Sequence, residues 1–220
     1  MRILNRIGGL IISPKQTAKI LVHEKPGIGE PLAVVVLFSM ARWTSLTLAL
    51  RHLINYVLAY PMMPASQWVG ELVTIALGWA TPYIVVFGLL ADLMFWLLLS
   101  IGVYLFLRGL EGRAVGSFED GLSMLGYTWV RTGFTVAPLT FTPFLPLTSL
   151  SLTLVTGLIG VLWTIYAAGL LLSEAHGVTV GKAVLSLIAT FLALFLTIGL
   201  LAILFTRGIG VVGWSVESLP

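Results

Sequence analysis

The stretch PYIVVFGLLADLMFWLLLSIGVYLFL, Pro82–Leu107, is 26 residues long and carries a single charge, Asp92, near its middle. At 1.5 Å per residue such a run can cross a hydrocarbon core of about 30 Å. It is not isolated. The chain as a whole is 58% hydrophobic and only 10% charged, against roughly a quarter charged in soluble domains. A soluble fold of this size would need polar side chains to cover its surface. The composition therefore predicts an all-α, polytopic integral membrane protein.

Working outward from Pro82, the pattern predicts five transmembrane helices preceded by an interfacial amphipathic helix. The expected spans are 31–50, 82–107, 121–140, 150–172 and 183–205, with residues 1–30 as a cytoplasmic segment and 206–220 as an external tail. In SPKQTAKILVHEK, Ser13 reads as an N-cap and Pro14 as the first helical residue. A helix from Pro14 to Glu24 gathers Thr17, Ala18, Leu21 and Val22 on one side and Lys15 and Lys19 on another, as expected of a helix lying on lipid. Pro61, Pro64, Trp68 and Glu71 mark the segment before Pro82 as interfacial, with VGELVTIALGWATP as a helix leading into the second span. No charge interrupts the chain between Arg131 and Glu174. That distance is too long for one helix, and Pro138, Pro143 and Pro146 supply the break.

Five of the twelve Lys and Arg residues precede Pro31. With the N-terminus inside, the inner segments also carry Arg108, Arg113 and Lys182, and the outer ones only Arg51 and Arg207. The positive-inside rule then places the N-terminus in the cytoplasm and the C-terminus outside, in a multi-pass protein of the cell membrane. The opening MRILNRIGGLIISPK has too short an apolar centre, and no small-residue cleavage site, to read as a signal peptide.

The segment VLWTIYAAGLLLSEAHGVTVGKAVLSLIATFLALFL places a tryptophan in a small-residue helix, then a short His-Gly turn, then Gly-Lys-Ala opening a last apolar helix. It resembles the closing half of the Yip-domain (Ypt/Rab-interacting protein) family. SPKQTAKILVHEKPGIGEPLAVVV resembles that family's amphipathic lead-in, and MLGYTWV resembles the Gly-Tyr at the start of its third span. The Asp-Leu-Tyr/Trp-Gly-Pro stretch of eukaryotic members is missing, so the resemblance is to a compact prokaryotic-type five-span member. It implies a non-enzymatic membrane scaffold or adaptor, with a small GTPase or another membrane protein as partner.

The chemistry-bearing residues agree with a non-enzyme. His23, His52 and His176 sit at or beyond the expected span ends, and no His-Glu-x-x-His motif is present. Ser123 has no histidine within the bilayer to take its proton. With no cysteine, thiolate chemistry and cysteine metal sites are excluded; no cofactor or metal is expected. No basic stripe suggests nucleic acid. The partners that remain are the bilayer itself, a membrane-associated protein, or a second copy of the chain.

Two groups of candidate site residues stand out. Glu174, His176 and Lys182 mark a cytoplasmic turn that could face a partner, although the favoured reading of His176 is as a cap of its helix. Arg42, Asp92 and Arg131 each lie ten or eleven residues into their spans, about 15 Å deep. Such charges often mark substrate or proton paths, so a small transporter or permease subunit is the alternative reading. The sequence reading expects Asp92 to pair with Arg131, with Arg42 beside them. Gly157, Gly160, Thr164 and Ala167, and likewise Ser186, Thr190, Ala193 and Thr197, form small faces suited to close helix packing.

Overall fold

A computed structural model describes the backbone of residues 2–58, 66–111 and 116–217, and side chains within 3–57, 70–111 and 116–204. The described residues are helical apart from short turns. The expected turn at Pro61 and Pro64, the side chain of Trp68, and Arg113 lie outside them.

The N-terminal segment folds into two helices, α1 (Arg2–Ile12) and α2 (Pro14–Glu24). The sequence reading anticipated only the second. They turn at Ser13, whose N–H donates to the carbonyl of Gly9 at 2.7 Å and whose own carbonyl accepts from Thr17 at 3.1 Å. Pro14 opens α2 as expected, but the Ser13 side chain makes no capping bond. Thr17, Ala18 and Leu21 are buried, while Lys15 and Lys19 are exposed. The division of faces is the expected one. The apolar face, however, packs on a later helix of the bundle, Pro146–His176, and Leu21 is sealed by protein rather than by lipid.

Helices α3 (Gly29–Leu58) and α4 (Ser66–Glu111) form a long antiparallel pair. Helix α3 continues past the expected end at residue 50 with Arg51 and His52 exposed. Helix α4 begins well before Pro82, which lies inside it. Proline removes one backbone bond and normally kinks or ends a helix. Here α3 grips α4 on both sides of it: Thr74 donates to Asn55 at 2.6 Å, and the Trp43 ring lies against Gly88. Tertiary contact therefore overrides the local signal. At 1.5 Å per residue α4 is about 69 Å long, more than twice a hydrocarbon core.

The third expected span is continuous but built in three pieces: α5 (Phe118–Tyr127), a 3₁₀ segment (Thr128–Thr132) and α6 (Gly133–Leu139). It starts three residues earlier than expected, because Ser117 and Asp120 form a capping box. Thr128, Thr132 and Thr135 each donate to the carbonyl three residues back, at 2.6, 2.9 and 2.8 Å. Bonds of this kind compete with the regular helical ladder, and they occur where the helix tightens. The three pieces together span about 35 Å.

Helix α7 (Pro146–His176) opens on Pro146, and α8 runs from Val180 to Glu217. The expected external tail is thus helical up to Glu217. Among the described residues four helices are long and apolar enough to cross a membrane: Gly29–Val57, Gly70–Glu111, Pro146–His176 and Val180–Leu204. The broken helix sits among them, touching α3, α4 and α7, while α8 closes the bundle between α4 and α7. Every residue from Gly121 to Val130 is buried.

Small residues allow this closeness, since van der Waals contact rather than hydrophobic exclusion holds helices together in lipid. A Cβ added at Gly126 would come within 2.7 Å of the Pro31 side chain and 3.2 Å of Trp96. Trp96 in turn donates its indole N–H to the carbonyl of Leu122 at 2.9 Å. Of the expected small faces, Gly160, Thr164, Ala167, Ser186 and Thr190 are buried, but Ala193 and Thr197 are exposed.

Gly126→Ala is expected to lower thermal stability in detergent by about 1–3 kcal/mol, since Pro31 cannot rotate away from the added methyl. Gly78→Ala, where an added Cβ meets nothing within 4 Å, is expected to be neutral or to stabilise by up to about 1 kcal/mol. Equal melting temperatures for both variants would show that the central helix has room to spare.

Candidate functional site: a charge cluster at mid-depth

Asp92 is 6% exposed, and its two oxygens are used by neighbours on α3. Arg42 ion-pairs with Oδ1 through Nη2, and the Trp43 indole N–H donates to Oδ2 at 3.2 Å. The Arg42 guanidinium also lies 4.9 Å from the Trp43 ring centre, so one tryptophan serves both members of the pair. The expected Asp92–Arg131 pair is therefore corrected: Arg42 is the partner. Consecutive residues on α3 deliver a cation and an N–H donor to the same carboxylate, which a single arginine on the central helix does not.

Arg131 lies close enough to feel the charge of both Arg42 and Asp92. Its guanidinium stands 5.6 Å from the Trp129 ring centre, a cation–π arrangement. Among the described residues it has no ion-pair or hydrogen-bond partner. The cluster thus holds two guanidinium groups and one carboxylate, a net charge of +1.

The turn between α7 and α8 is arranged differently from the sequence expectation. His176 is 2% exposed; it tilts against Tyr104, with ring centres 6.4 Å apart, and fits over Gly121, where a Cβ would lie 2.7 Å from Nε2. It therefore does not face a partner. Nor does it cap α7: Gly177, at φ 66°, turns left-handed and donates its N–H to the carbonyl of Ser173. Ser173 adds a bond from its hydroxyl to the carbonyl of Val178 at 2.6 Å. Lys182 is bound to Glu111 at 2.5 Å, and Glu174 is half-buried.

A second polar cluster escaped sequence reasoning. Arg6 of α1 pairs with both Glu24 and Glu30. Burial works against its charge, yet hydrogen bonds to the two glutamates outweigh that and raise its pKa above the ordinary arginine value. The hydroxyl of Tyr127, fully buried on the central helix, lies beside these groups without meeting hydrogen-bond geometry. Arg6 thereby ties the N-terminal helix to the start of α3 and to the middle of the bundle. Nothing near Arg6 in the sequence signals this, because both glutamates are distant along the chain. Among the described residues no group of His, Asp and Glu side chains could hold a metal ion.

Membrane-length helices around a buried, broken central helix define an all-helical polytopic membrane protein. The chain belongs to the Yip1 domain family, whose family model matches residues 8–203, a family not known for enzymatic activity. No curated protein and no solved structure matches the chain. The Gly-Tyr and His-Gly motifs gain physical roles here. Gly126 admits Pro31, Tyr127 meets the Arg6 cluster, and His176-Gly177 ends α7 beneath the start of α5.

Breaking a buried pair by removing one partner costs about 3–5 kcal/mol. Asp92→Asn and Arg42→Gln are each expected to lower the melting temperature in detergent, Arg42→Gln by the smaller amount because its side chain is 28% exposed. The exchange Arg42→Asp with Asp92→Arg is expected to recover part of the loss, read by thermal unfolding of the purified variants. An exchange less stable than both single variants would break the pairing.

Proposed function

We propose that the protein is a non-enzymatic membrane scaffold or adaptor of the Yip type, organising membrane components or holding a membrane-associated partner. The observation that carries this reading is how the polar groups are spent. The Arg6–Glu24–Glu30, Arg42–Asp92 and Glu111–Lys182 contacts tie neighbouring segments together. Among the described residues no nucleophile–base pair is brought together. Family membership supports the same reading.

The partner is a small GTPase or another membrane protein, and it is met on the cytoplasmic side. The excess of Lys and Arg in the N-terminal segment supports this orientation in the cell membrane. On that side Lys15 and Lys19 of α2 stand exposed beside the turn at Lys25.

Orientation is tested by single cysteines, since the native chain has none. Thr179→Cys is expected to react only with reagent on the cytoplasmic side. Phe144→Cys, at a position 80% exposed, should react only from outside. Labelling of both from one face would overturn the topology. The function is tested by crosslinking in the membrane from Lys15 or Lys19, followed by identification of the captured protein. Recovery of a small GTPase or a specific membrane protein supports the scaffold. Solute flux through proteoliposomes with no captured partner would favour the permease instead.

A further inference from the structure

The donors around Arg131 outnumber their acceptors. Each Asp92 oxygen already accepts a bond, one from Arg42 and one from Trp43, and neither is bonded to Arg131. No carboxylate among the described residues pairs with Arg131. Next to it, Trp129 is 2% exposed and its indole N–H has no acceptor. On α3, Ser39 is fully buried and its hydroxyl is likewise without a partner. The Thr132 hydroxyl reaches the carbonyl of Phe38 at 3.5 Å, which sets Ser39 at the level of Arg131. A buried N–H left without an acceptor is costly, and a charge at mid-membrane depth more so.

We propose that Arg131, with the indole N–H of the neighbouring Trp129 and the hydroxyl of Ser39 at the same level, forms a binding site for a small monovalent anion of about chloride size. Arg131 and the Trp129 indole are donors only and the Ser39 hydroxyl can donate, so an acceptor satisfies all three. One negative charge also cancels the +1 left by two arginines and one aspartate. The burial of Trp129 and Ser39 restricts the ligand to something small. The apolar grooves beside the bundle, one at Phe38–Phe134–Phe141 and one at Trp43–Phe87, are not lined by Arg131, so neither presents it to a bulky carboxylate. Arg131 itself is half-buried. The site is a feature of the bundle whether or not the scaffold reading holds.

The test compares thermal unfolding of the purified full chain in chloride and in isethionate, a large organic anion, at equal ionic strength. Chloride is expected to raise the melting temperature in a saturable way. Arg131→Gln should abolish the dependence, Arg131→Lys should retain a weaker one, and Arg108→Gln, at an exposed position, should leave it unchanged. If Arg131→Gln fails to fold, Trp129→Phe serves as the second variant, with the chloride midpoint expected several-fold higher. Iodide provides an independent readout by quenching a fraction of the tryptophan fluorescence, and Trp129→Phe should remove that fraction. Equal melting temperatures in the two anions, a chloride effect that survives Arg131→Gln, or a midpoint unmoved by Trp129→Phe would each overturn the proposal.

Discussion

Ten consecutive residues, Gly121–Val130, have no face left for lipid or water, and the bundle is arranged to keep them so. A segment in that position cannot be a uniformly large-residue helix, because its neighbours must come within van der Waals reach on every side. Glycine at position 126, the Trp96 indole on the carbonyl of Leu122, and the buried Tyr127 follow from that demand. So does the arrangement of the rest. The more apolar α3, α4, α7 and α8 surround it and carry most of the exposed large side chains, while α2 seals one more gap against α7.

The polar groups serve the same end. Arg6 with its two glutamates fixes the N-terminal hairpin to the head of α3, and Lys182 with Glu111 joins the start of α8 to the end of α4. Arg42 and Asp92 lock α3 to α4 near mid-depth. Each pair joins different helices, which is what a rigid frame needs and what a moving carrier would have to break. Arg131 departs from this pattern, being the charge that the frame leaves unmatched.

Much of the architecture was legible in the sequence because it depends on one dimension. Length and hydropathy along the chain are sufficient to find runs that can cross a bilayer, and Lys15 and Lys19 against Thr17, Ala18 and Leu21 are sufficient to find the two faces of α2. What the sequence hides is rotation about the helix axis. Counting residues places Arg42, Asp92 and Arg131 at similar depths, but not which arginine points at the aspartate. That choice rests on Trp43 being next to Arg42. The same blindness applies to His176, a turn residue by position that rotates inward over Gly121. Pro82 fails as a boundary for another reason: its local cost is real, but the grip of α3 on both sides of it is worth more. Helix α1 went unseen because a short apolar stretch carries little signal until Arg6 finds glutamates far along the chain.

The central position of the third passage also has a consequence for the order in which the protein is made. Chains are synthesised and begin to fold from the N-terminus. Pro31 and Trp96, which Gly126 must meet, are made before it, whereas Gly160 and Thr164, which pack from α7, are made after it. The segment least suited to lipid is therefore born with a two-helix cradle waiting on one flank and nothing on the other. Its threonine hydroxyls, bonded back to its own carbonyls, satisfy themselves during that interval without help from helices yet to come. Overwinding in the middle of the span is in this sense a way for a polar segment to remain self-contained until its last neighbours arrive.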